Sequence, residues 1–209
     1  DEKMSVTLTT THNQKKNINN NMTIIDLGEC ELLLRQEYNI SNNEPLFMKK
    51  IDVFQEGMKI PRVEYNVYSK LKGSNLERLN LSICQSSKIF LSIPVIISES
   101  IDKLNSSSGY YNDICYIAKS EKGTDIILKD RKKEFIENNK TVCQDDCDFT
   151  DYDKNTLKVN CSCKAKESSN NYANMTIDKS NLLKDFINIK DIYEFVNFKF
   201  SYLFLDKYF

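Results

Sequence analysis

Phe47-Met-Lys-Lys-Ile-Asp-Val-Phe54, and then Lys59-Ile-Pro-Arg-Val-Glu-Tyr-Asn-Val-Tyr-Ser-Lys-Leu71, decide the fold class of this chain. Both runs are dense in Ile, Val, Phe and Tyr, the residues that fit a pleated surface, and Glu56-Gly57 between them is turn material. Working outward, Arg78 to Cys84 and Lys88 to Ile97 have the same character. They are set off by Lys72-Gly73-Ser74-Asn75 and Gln85-Ser86-Ser87. Four strands at this spacing predict a mainly β (α+β) chain whose residues 23–104 form a β-sandwich-like module. Glu29 to Tyr38, with Leu32, Leu33 and Leu34 among charged residues, reads as a short amphipathic helix before the strands.

Upstream, Met4, Val6 and Leu8 alternate with Ser5, Thr7 and Thr9, so residues 1–12 read as a half-buried strand. Residues 13–22 are polar and Asn/Lys-rich, and read as a linker. A tethered strand of this kind closes its own sheet or is donated to a neighbour, in which case Met4, Val6 and Leu8 become an assembly strand. Downstream, Asn105-Ser-Ser-Ser-Gly109 is the clearest internal loop and opens a cysteine-rich module over residues 105–166, with helical turns at Asp130 to Asn138. Residues 167–209 are expected to pack on the body as a helix and a terminal strand. Asp178 or Ser180 caps the helix, which carries Leu182, Leu183, Phe186, Ile187 and Ile189. The strand places Val196, Phe198, Phe200, Tyr202 and Phe204 on one face.

Seven N-x-Ser/Thr sequons begin at Asn21, Asn39, Asn80, Asn105, Asn139, Asn160 and Asn174. Random placement of this composition gives about three, so the count favours an N-glycosylated chain in an oxidising, extracellular or cell-surface setting. The seven cysteines agree with that setting. Cys161 and Cys163 lie on one face of a strand, and Cys143 and Cys147 are spaced to face them across a hairpin turning at Asp153-Lys-Asn-Thr156. Zinc is the competing reading of those four thiols, but Cys-x-Cys is tight for its geometry.

The order Cys115, Cys143-x3-Cys147, Cys161-x-Cys163 resembles the first five cysteines of an EGF-like module. That resemblance implies bridges Cys115 to Cys147 and Cys143 to Cys161, with Cys163 unpaired or intermolecular. Cys30 and Cys84 would then bracket the first module with one bridge. The stretches Leu27-Gly-Glu-Cys-Glu-Leu-Leu-Leu-Arg35, Lys50 to Pro61, and Tyr110 to Arg131 look like segments of large cysteine-containing surface proteins of AT-rich, ciliate-like protists. That likeness implies an ectodomain fragment and brings no activity with it.

With 29 Lys plus Arg against 30 Asp plus Glu, interspersed, the chain has no field for gathering nucleic acid. It lacks a run of 18 apolar residues and so reads as having no transmembrane segment, a piece of something secreted or anchored elsewhere. His12 is the single histidine and stands where the predicted strand gives way to the polar linker, a poor place for a nucleophile's base. Asp151-x-Asp153-x-Asn155 opens like a calcium loop, then fails where Thr156 replaces the glycine and Ser162 the closing glutamate. No catalytic, metal or cofactor site is expected. The expected function is an extracellular structural subunit of a coat or filament, a homopolymer joined by strand contacts. A monomeric adhesive or ligand-binding ectodomain is the alternative.

Overall fold

The computed structural model describes residues 3–16, 22–54, 59–71, 76–138, 140–168 and 200–202. Strand β1 (Lys3–Thr10) runs into helix α1 (Thr11–Lys16), followed by β2 (Ile24–Asp26), α2 (Glu29–Glu37), β3 (Phe47–Phe54), β4 (Arg62–Ser69), β5 (Glu77–Arg78) and β6 (Lys88–Pro94). Helices α3 (Gly109–Asn112) and α4 (Leu128–Glu137) precede β7 (Cys147–Asp153) and β8 (Lys158–Lys164), and β9 (Phe200–Tyr202) comes last. The strands form two antiparallel sheets: sheet I in the order β5-β4-β3-β1-β9, and sheet II in the order β2-β6-β8-β7. The chain is mainly β, as its alternation predicts.

One core joins the sheets. Met48, Val63, Tyr65 and Val67 of sheet I share a buried cluster with Ile89, Leu91, Ile93 and Val159 of sheet II. Burying an aliphatic side chain of this size contributes about 1.5–3 kcal/mol. Helix α2 closes one end of the sandwich by adding Cys30 and Leu34, both wholly buried. Its approach depends on Gly28, whose φ of 53° is left-handed and whose missing Cβ would stand 3.2 Å from the Lys88 carbonyl. The helix ends in a Schellman motif: Asn39 takes φ 51°, Ile40 N–H donates to Arg35 O at 2.9 Å, and Asn39 N–H donates to Gln36 O at 3.3 Å.

Several expectations need correction. The predicted linker at 13–22 begins inside a helix, because Gln14 is needed in the core. Its side-chain oxygen accepts the Ile25 N–H at 3.0 Å, and its amide reaches the Met48 sulfur, so α1 ties the two sheets. Arg78 to Cys84 is not a full strand. Only Glu77–Arg78 pairs, and Leu81–Cys84 is a 3-10 turn whose N-cap Asn80 accepts the Ser82 N–H at 2.8 Å. That turn carries Cys84 to Cys30.

The hairpin expected as a separate stapled module is instead half of sheet II. β8 pairs with β6 over seven residues, from Lys88 opposite Lys164 to Pro94 opposite Lys158. Segment 105–138 does build a satellite, around Tyr110, Tyr111 and Ala118. Within the basic run Lys129-Asp-Arg-Lys-Lys133 of α4, Arg131 is turned inward and is 1% exposed. Its guanidinium donates to Tyr110 O at 2.7 Å and Asp113 O at 3.2 Å and lies over the Tyr110 and Tyr116 rings. The helix expected from Asp178 or Ser180 to Tyr193 lies outside the described residues, as does most of the terminal strand.

The disulfides are Cys30–Cys84, Cys143–Cys161 and Cys147–Cys163. The EGF-like pairing of Cys115 with Cys147 is therefore incorrect, as is an unpaired Cys163. Register is the reason: β7 sets Cys147 directly opposite Cys163, with Cα atoms 4.0 Å apart. Cys115 is the free thiol, exposed on the satellite.

Candidate functional site

At the end of sheet II opposite α2, the chain leaving β6 runs beside the β7–β8 turn, and the two enclose a groove of about 510 Å³. Its apolar walls are Ile97, Ile101, Tyr152 and Leu157, and its polar rim is Glu99, Ser100, Asp102 and Lys154. The volume falls within the range of small-ligand sites. Two bonds fix the walls: Val95 N–H donates to Leu157 O at 3.0 Å, and the Tyr152 hydroxyl donates to Val95 O at 3.4 Å. Leu157 adopts φ 53°, a left-handed conformation that costs a residue with a Cβ about 1–2 kcal/mol. Backbone strain of this kind gathers at ligand sites.

The rim is anchored to the satellite. Lys140, 8% exposed in its side chain, donates to Glu99 and Glu134 at 2.7 Å each, and Lys59 stands 3.6 Å from the other Glu99 oxygen. Burial disfavours the Lys140 charge, but the hydrogen bonds to Glu134 and Glu99 outweigh it and raise its pKa far above the ordinary lysine range. The Lys140 hydrogen bond, in turn, holds the Glu134 carboxyl below its usual value. Asp102 accepts the Tyr116 hydroxyl at 2.9 Å, a bond that pushes the Tyr116 phenol upward. The groove thus offers an apolar slot with fixed carboxylates on one side and the Lys154 cation on the other, an arrangement suited to recognition.

Sequence reasoning did not find this groove. Two signals bear on it: the apolar run continues through Val95, Ile96 and Ile97 after strand-ending Pro94, and Leu157 stands at the end of a tight turn where a small or polar residue is usual.

The predicted site residues are dispersed. Asn39 and Asn80 are exposed at one corner, where Asn80 N–H donates to the Tyr38 hydroxyl at 2.9 Å. Asn105 is half-buried and accepts the Ser107 N–H at 2.9 Å. Asn160 lies within β8, accepting from Ser92 Oγ and donating to Asp151 Oδ1, each at 2.6 Å. Asn21, Asn139 and Asn174 fall outside the described residues. Met4 and Val6 are buried and Leu8 is half-buried in β1. His12 is exposed on α1. Asp153 of the calcium-like loop is occupied in its own turn, accepting from Asn155 N–H and Thr156 Oγ1 at 2.8 Å each. Among the described residues, no group of His, Cys, Asp and Glu is arranged to hold a metal ion.

No protein-family model, curated protein or solved structure matches this chain.

Proposed function

We propose that this chain is an extracellular, disulfide-stapled binding ectodomain that works as a monomer and engages a ligand through the groove between the 97–102 segment and the β7–β8 turn. The observation that carries this reading is the seating of β1. It is zipped to β3 over eight residue pairs, from Lys3 opposite Phe54 to Thr10 opposite Phe47, and α1 behind it is pinned by Gln14 to both sheets. A strand so enclosed has its partners within its own chain, which favours the ligand-binding reading over the strand-exchanging coat subunit. Three disulfides fit an oxidising compartment, and among the described residues no helix is long and apolar enough to cross a membrane.

The edges of sheet II discourage polymerisation as well. Edge strand β7 carries Asp148, Asp151 and Asp153 and breaks register between Phe149 and Asp151, both devices that blunt an edge. Gln14 caps the Ile25 N–H on the β2 side.

Expression behind a secretory leader tests the compartment. The expected product is a disulfide-bonded, glycosidase-sensitive chain in the medium. Retention as a reduced aggregate, or secretion with every sequon bare, contradicts the reading.

A further inference from the structure

The face of sheet I turned away from sheet II is buried, although the described elements do not account for its cover. Strand alternation assigns the residues to that face. Met48, Val63, Tyr65 and Val67 belong to the shared core, so Ile51 and Val53 of β3 and Glu64 and Asn66 of β4 leave the sheet on the opposite side. Met4 and Val6 join them there, standing opposite Val53 and Ile51 in the register. These six residues are 0–7% exposed. An antiparallel sheet packed on one side only leaves its other face to water, and this face is not left to water. Its character is graded. Met4, Val6, Ile51 and Val53 form an apolar cluster, whereas the side toward β4 is polar, with Lys49 opposite Asn66 and Glu64 3.4 Å from Arg62. Among the described residues, no hydrophobic side chain from another element joins the cluster.

The chain brackets this face at both sides. Ser168 Oγ donates to Asn66 Oδ1 at 3.1 Å and Glu167 pairs with Arg78, which places residue 168 over β4 and β5. Strand β9 lies at the far edge of the same sheet, beyond β1. From β4 to β9 is three strand spacings, about 14 Å, and residues 169–199, which join the two points, can span far more than that with helical turns included. We propose that residues 178–193 form an amphipathic helix lying across this face, with Leu182, Leu183, Phe186 and Ile187 seated on Met4, Val6, Ile51 and Val53. The spacing of those four residues puts them on one side of a helix, and a helix over 178–193 is about 24 Å long, enough to cross the sheet. A second copy or a separate partner has no such tethers at both sides of the face. The molecule then has three layers, helix on sheet I on sheet II, and the outer face of sheet I is closed to other chains.

Peroxide footprinting of the full, oxidised chain tests the assignment, with methionine sulfoxide read by mass spectrometry. Met4 reports on the outer face, and Met48, 0% exposed in the shared core, reports on the fold. Both are expected to oxidise slowly in the parent, at rates unchanged by a hundredfold dilution. Phe186→Asp is expected to speed Met4 oxidation several-fold while Met48 stays slow. Hydrogen exchange of the parent is the second arm, with slow amides expected over residues 182–189. If the variant opens Met48 as well, it has lost its fold and the exchange of the parent decides. Fast Met4 oxidation in the parent overturns the proposal, as does Met4 protection that fades on dilution, which assigns the cover to a second copy. Met4 protection that survives Phe186→Asp, or unprotected exchange over 182–189, overturns it equally.

Discussion

Leu157 and Asn39 occupy the same left-handed region, at φ 53° and 51°, for different reasons. At Asn39 the conformation completes a helix cap, and asparagine tolerates it. At Leu157 the chain keeps a leucine where the backbone disfavours one, and the side chain walls the groove. Leu157→Asn is therefore expected to raise stability by about 0.5–1 kcal/mol, read as a higher urea midpoint with unchanged slope; a lower midpoint would show that the leucine is held by packing alone. Glu134 gives a second residue-scale prediction. Its folded pKa lies below the ordinary 4.5, chiefly through the Lys140 hydrogen bond. The stabilisation is complete above pH 4.5 and is lost as pH falls through the lower folded value. Melting curves of the parent and Glu134→Gln should differ at neutral pH and converge on acidification below 4.5; a gap that stays constant would place the effect elsewhere. Neither Leu157 nor Lys140 was legible in the sequence, since each takes its role from a partner brought close by the fold rather than from spacing along the chain.

At the scale of elements, β1, α2, β3, β4, β6 and α4 were legible because each carries its periodicity within itself. Arg78 to Cys84 was not, because its apolar residues serve a disulfide turn rather than a ladder, and the role of Gln14 shows only when β2 and β3 come together around it. The two hairpin bridges interlock. Once one is closed, only the short paths between Cys143 and Cys147 and between Cys161 and Cys163 remain for the other to restrain. Chain-entropy reasoning then gives the second bridge about 2 kcal/mol against about 3 for the first. Replacing one cysteine pair by alanine should cost about 2 kcal/mol and replacing both about 5, measured by urea unfolding. Equal, additive losses would contradict the interlock. Gly28→Ala combines a left-handed φ with a 3.2 Å approach to the Lys88 carbonyl, and is expected to lower stability by about 1–2 kcal/mol. A neutral result in the same assay would mean that α2 can shift outward from β6 without loss.

For the whole molecule, the EGF-like resemblance assigned the cysteines to a module that does not stand apart, because β8 runs along β6 and puts Cys161 and Cys163 into the main core. The result is a sandwich in which early and late chain segments are interleaved: β1 between β3 and β9, and β8 between β6 and β7. A domain built this way holds its N-terminal strand in the middle of a sheet, and that placement underlies the reading of a self-contained binding ectodomain. Light scattering on the oxidised, secreted chain, with Cys115→Ser to exclude thiol chemistry, is the most direct measurement. The account predicts one species with the mass of a single chain plus its glycans, unchanged across a hundredfold range of concentration. A ladder of polymers that disappears when residues 1–12 are deleted would contradict it and assign β1 to a neighbour's sheet.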